Sequence, residues 1–103
     1  MEPILKQKLN VVSLDRFSED DQTIWKIQCE SAQDYRYLIH AEYHDWMLHV
    51  HLEETTNPKV ISRIELRGGT KILYIQYLFD HDHEHKMENE EFRDIMNHLF
   101  VFN

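Results

Sequence analysis

The chain has 103 residues, 42% of them apolar, and a formal net charge of −8. That is enough for one domain with a modest core and too little for two. The acidic balance disfavours general binding to phosphate backbones, and the single cysteine, Cys29, excludes an internal disulfide and suits a reducing compartment. No apolar run approaches the ~20 residues of a membrane-spanning helix. The opening MEPILKQKLN lacks the apolar stretch of a signal peptide, so a cytoplasmic location is expected.

The first 17 residues read two ways. Pro3 can open a short helix with Ile4, Leu5, Leu9 and Val12 on one side. Alternatively LNVVSLDRF is a strand that turns at SEDDQ. The β-branched pair Val11-Val12 and the turn-rich SEDDQ favour a short helix followed by a strand. Apolar and polar residues then alternate with period two, which predicts strands at 23–30, 34–43, 46–53, 59–67 and 70–79. Connections are expected at SAQ (31–33), His44-Asp45, ETTNP (54–58) and Gly68-Gly69; the last pair accepts the positive φ angles of a tight hairpin.

Strand parity sorts the side chains into two faces. Trp25, Ile27, Cys29, Tyr37, Ile39, Tyr43, Trp46, Leu48, Val50, Leu52, Ile75, Tyr77 and Phe79 fall on an expected core face. Lys26, Gln28, His40, Glu42, His49, His51, Glu53 and Gln76 fall on a water-facing one. Near the end the period changes. Phe92, Ile95, Met96 and Leu99 form a helical stripe, with Asn89 as the expected N-cap and Glu90 and Glu91 in the first turn. The terminal VFN continues this helix or frays. The expected fold is therefore α+β: a twisted five- or six-stranded antiparallel β-meander in one domain. A C-terminal α-helix packs on one face, and the opening segment is either a short helix leading into a strand or the sixth strand itself.

Two constellations stand out. A hairpin centred on 44–45 places His40 opposite His49 and Leu38 opposite His51, so His40, His49 and His51 form a triangle on the outer face. Such residues have Cβ atoms roughly 4.5–5.5 Å apart. A His-x-His pair on one strand with a third histidine on its neighbour resembles, over those three residues, the zinc site of carbonic anhydrase. The resemblance implies a zinc-type metal site with an open fourth position. The second constellation is an apolar and basic corner: Ile61, Arg63, Arg67, Ile72, Tyr74 and Leu78, with Arg63 across from Tyr74. Apolar and aromatic residues beside arginine describe a protein interface. Residues 59–71 are locally basic, whereas 80–94 hold seven acids against Lys86 and Arg93. Opposed patches of this kind steer a partner or a self-association. The histidine run DHDHEH (80–85) reads as a charged connection rather than a functional centre. Cys29 reads as a small buried hydrophobe.

No phosphate loop, nucleophile elbow or paired-cysteine zinc motif occurs. The expected function is a small acidic protein-binding module, a regulator or inhibitor of a larger protein partner, more readily than an enzyme and with no cofactor. The alternative is a protein binding zinc or a similar transition metal through His40, His49 and His51, as in a metal-dependent hydrolase. Nucleic-acid and membrane partners are not expected; self-association is compatible with the charge pattern.

Overall fold

A computed structural model describes residues 3, 5–31, 35–55, 70–79 and 85–103 of the chain. Among them the order of elements is β1 (Leu5–Glu19), β2 (Gln22–Ser31), β3 (Arg36–His44), β4 (Met47–Glu54), β5 (Thr70–Leu78), α1 (Asn89–Leu99) and β6 (Phe100–Phe102). The protein is mostly β-sheet with one C-terminal helix. The strands form one sheet in the order β5-β4-β3-β2-β1-β6, curled into a half-barrel. All neighbours are antiparallel except β1 and β6, which run parallel. The sheet is thus mixed rather than a purely antiparallel meander.

Three expectations need correction. Residues from Leu5 onward form a long strand, not a short helix. β1 pairs with β2 from Leu9↔Ser31 to Glu19↔Gln22, so hydrogen bonding along the sheet overrides a weak local helix signal. The terminal FVF neither extends α1 nor frays. It turns out of the helix at Phe100 and pairs with β1, and the Asn103 N–H donates to the Leu9 carbonyl at 3.0 Å. Finally, the second neighbour of β4 is Thr70–Leu78, the position a simple meander gives to 59–67. The expected strand 59–67 and the Gly68-Gly69 hairpin lie outside the described residues.

The face assignments hold across β2 to β4 and from Tyr74 onward in β5, although two registers move. β3 and β4 pair as His44↔Met47 and Tyr43↔Leu48, so the turn is Asp45-Trp46 rather than His44-Asp45. Both turn residues have positive φ, 50° and 60°, as a primed hairpin turn requires. Aspartate tolerates that region and tryptophan does so reluctantly. The Phe79 N–H, donating to the Trp46 carbonyl at 2.7 Å, ties this turn to the end of β5. Trp46 therefore leaves the expected core row. β2 and β3 pair as Cys29↔Tyr37, which moves the connection to 32–34, outside the described residues. Each change is a shift of two residues in pairing, and a shift of two keeps every side chain on its face.

The core lies on the inner face. Trp25, Ile39, Leu48, Val50 and Leu52 are fully buried, joined by Met87, Phe92, Met96 and Leu99 from the helix and its lead-in. Burial of each large apolar side chain stabilises by roughly 1.5–3 kcal/mol. Phe92 stacks flat on Trp25, with ring centroids 4.1 Å apart and planes 6° apart. Asn89 is the first helical residue and not the cap. Glu88 takes the cap position without a side-chain hydrogen bond, and the Asn89 Oδ1 instead accepts from Trp25 Nε1 at 3.4 Å. Glu90 and Glu91 occupy the first turn as expected. No helix among the described residues is long and apolar enough to cross a membrane.

β1 breaks step once. Its register shifts between Val11 and Ser13, leaving Val12 as a bulge. Before the bulge, odd residues face inward (Leu9 and Val11, opposite Ser31 and Cys29). After it, even residues do (Leu14 and Arg16, opposite Ile27 and Trp25).

Candidate functional site

Strand pairing arranges the outer face of the sheet in rows. One row runs Lys26, His40, His51 and Tyr74 across β2 to β5. The next runs Ile24, Glu42, His49 and Gln76. A third holds His44, Met47 and Leu78. His40 therefore faces His51, not His49, because the turn centre moved. Their ring centroids lie 6.0 Å apart. His49 sits diagonally to His40 and stacks on His44 at 5.2 Å. The trio His40, His49 and His51 does share one face of two adjacent strands. Among the described residues, however, no group of three or more His, Cys, Asp or Glu side chains is gathered to hold a metal ion.

The ring nitrogens have distinct surroundings. His49 Nδ1 lies 2.7 Å from the Tyr74 hydroxyl, which accepts from Gln76 Nε2 at 2.6 Å. With the hydroxyl proton directed at Nδ1, neutral His49 carries its proton on Nε2. A metal at Nε2 would require that proton to move and the Tyr74 bond to reverse. His40 Nε2 is buried without a hydrogen-bond partner; Glu42 Oε1 lies 3.1 Å away but out of hydrogen-bonding line.

The structure also joins the two constellations. Tyr74 was expected in a separate basic corner. It instead lies directly opposite His51, with rings 4.7 Å apart, and extends the imidazole row. Leu78 borders the same face and is 71% exposed. Of the remaining corner residues, Ile61, Arg63 and Arg67 lie outside the described residues. So does the side chain of Ile72, whose backbone belongs to β5.

One histidine of the DHDHEH run has a defined place, which its sequence gave no reason to single out. His85 Nε2 lies 2.7 Å and 3.0 Å from the Glu91 carboxylate oxygens, and its Nδ1 lies 2.5 Å from the Tyr43 hydroxyl. Its ring stacks on Phe79 at 4.5 Å. With Glu91 accepting from Nε2–H, Nδ1 is left to accept from Tyr43. Such a chain resembles a general-base relay in outline, but the phenol at its end is a poor nucleophile. Burial, and secondarily the Glu91 charge, push the Tyr43 pKa up and keep the hydroxyl protonated. Its clear effect is to fasten the lead-in of α1 to the inner face of the sheet. The remaining histidines of the run lie outside the described residues. Cys29 is buried, and desolvation pushes its thiol from 9.0 to about 11, so the reactive thiolate is disfavoured.

Sequence reading missed a groove between β1 and α1. Trp25, Ile27, Phe92 and Met96 form its apolar floor, Val11 and Leu14 one wall, and Phe102 lines it too. Arg16 and Arg93 are the charged residues of the lining, in a cavity of about 350 Å³. The Arg16 guanidinium sits 5.9 Å from the centre of the Trp25 ring. The parity break at Val12 hides Leu14 and Arg16 from any period-two pattern. Compared with family models, curated proteins and solved structures, the chain matches none.

Proposed function

We propose that the protein is a small acidic protein-binding module, a regulator or inhibitor of a larger partner, and that it docks through the outer face of β3 to β5. The observation that carries this reading is the exposure of Tyr74 (45%) and Leu78 (71%) beside a row of imidazoles on a solvent-facing sheet. Tyrosine and large apolar residues ringed by polar groups are the composition of interface centres. Small size and the lack of a catalytic motif fit a regulator. The test is affinity capture from the organism that encodes the chain, wild type beside Tyr74→Ser/Leu78→Ser. Loss of a specifically captured protein with an unchanged melting temperature supports the reading. Equal capture by both proteins refutes the docking face.

A second reading, metal binding, is favoured by one observation: His40 Nε2 is buried without a hydrogen-bond partner on a ring facing His51. Imidazoles are common zinc ligands. Calorimetric zinc titration of wild type, His40→Ala and His51→Ala separates the readings. Stoichiometric binding lost in both variants supports a metal site, and no binding to wild type removes it.

A further inference from the structure

β6 covers only the beginning of β1. Its register partners are Leu5, Lys8 and Leu9, and the last backbone bond on that side goes to the Leu9 carbonyl. From Asn10 to Glu19, β1 pairs among the described residues with β2 alone. Among the described residues one edge of a long strand is therefore open, and an open edge offers unpaired N–H and C=O groups to another chain. Natural edges are usually blunted with charge, a bulge or cover. This one has the Val12 bulge and the charges of Asp15, Arg16 and Glu19. It also carries Val11, Val12, Leu14 and Phe17, each at least half exposed, which are four of the six large exposed hydrophobics among the described residues.

The open edge borders the groove. Val11 and Leu14 point from β1 toward the helix, and Asn89, Phe92, Arg93, Met96 and Asn97 line the far side from α1. These helix positions recur at three- and four-residue steps, so they form one face. The lining contains two arginines and no acid, in a chain of net charge −8. Neither arginine forms an ion pair with a described residue.

We propose that an extended peptide segment of a partner protein adds as a further strand to the edge of β1. In this arrangement alternate apolar side chains enter the groove, and an acidic residue faces Arg16 and Arg93. Main-chain bonding supplies affinity and the groove supplies selectivity, the division expected of strand addition. Val11 to Arg16 spans roughly 20 Å at ~3.3 Å per residue, enough for about six peptide residues. A small amphiphile fits less well, because drug-sized ligands are mostly enclosed by their sites and this groove leaves Leu14 59% exposed. The proposal is independent of the outer docking face, which lies on the other side of the sheet.

The test is selection of a displayed library of random dodecapeptides on the full chain, followed by titration of the tightest clone as a synthetic peptide. The expected clones alternate apolar residues and carry Asp or Glu. Their binding should slow hydrogen exchange of β1 amides within 10–17. It should weaken by about tenfold or more in Leu14→Asp and in Arg16→Glu/Arg93→Glu, and when alternate peptide amides are N-methylated. Tyr74→Ser/Leu78→Ser should leave it unchanged. Because Leu14, Arg16 and Arg93 are exposed, these variants should keep the wild-type melting temperature, which is measured alongside. Three results overturn the proposal: selected peptides that protect another surface, binding indifferent to N-methylation, or a concentration-dependent dimer of the chain alone that protects the β1 edge.

Discussion

The outer face of β3 to β5 and the edge of β1 both expose apolar side chains, yet they differ in what their backbones can do. On the outer face, β3 and β4 are each flanked on both sides, so what they offer is side chains: His40 to His51, continued by Tyr74 on the end strand β5, with His49 held by the Tyr74 hydroxyl. At β1 the main chain itself is open over ten residues among the described ones, beside a groove with two arginines. A surface of the first kind discriminates by shape and chemistry. One of the second kind accepts any chain able to extend and then selects by what fits alongside. On the two proposals made above, one small domain would present two modes of recognition on opposite sides of one sheet.

The sharpest break between the regions is Phe92→Ala. It removes the ring stacked on Trp25 and should lower stability by about 3–5 kcal/mol. In urea titration the midpoint should fall well below wild type, and the groove floor goes with it, whereas the ring contacts of the outer face involve no helix residue. Next in size is His85→Ala. It takes away the ring nitrogen that the Tyr43 hydroxyl bonds and unfastens the lead-in of α1, at an expected ~1–3 kcal/mol by the same titration.

High pH should weaken the inner face. Cys29, Tyr37, Tyr43 and Tyr77 are all held above their ordinary values, in each case chiefly by burial. The unfolded chain therefore releases these protons before the folded one. Their contribution to stability is complete below about pH 9 and is lost as pH climbs through the folded values, about 11 for Cys29. A melting-temperature series from neutral pH upward should show the decline, and Cys29→Ala should flatten it. Smallest is Leu78→Ser, expected within about 0.5 kcal/mol of wild type, because the side chain is already in water.

What the sequence made legible follows from strand physics. In β2, β3 and β4 strict alternation assigned Trp25, Ile27, Cys29, Ile39, Val50 and Leu52 to the core, and all are buried. That success survives errors in pairing because parity ignores a shift of two. The candidate site is more sensitive, since a site depends on which residue faces which. The Asp45-Trp46 turn, with tryptophan at positive φ, put His51 rather than His49 opposite His40 and left His49 on the diagonal, so the trio kept its face while two of its members exchanged places. The helix stripe was readable for the same reason as the strands: Phe92, Met96 and Leu99 repeat at the helical period. β6 was not, because three apolar residues have no period to read, and their partner Leu9 is some ninety positions away in the chain.

The bulge at Val12 behaves like a dislocation in a crystal row. On one side the lattice is in phase with Leu9, and on the other it is in phase with Leu14 and Arg16. Excising that single residue would heal the row and leave every other side chain on its own face, with Ser13 outside between Val11 and Leu14. A length change of one in the regular parts of β1 has no such outlet and would turn the strand over on one side of the change. The fault is thus the place where this strand can lose a residue without exchanging a stretch of surface for its reverse. What a partner reading the edge would find altered is the local bend and twist, not the order of side chains.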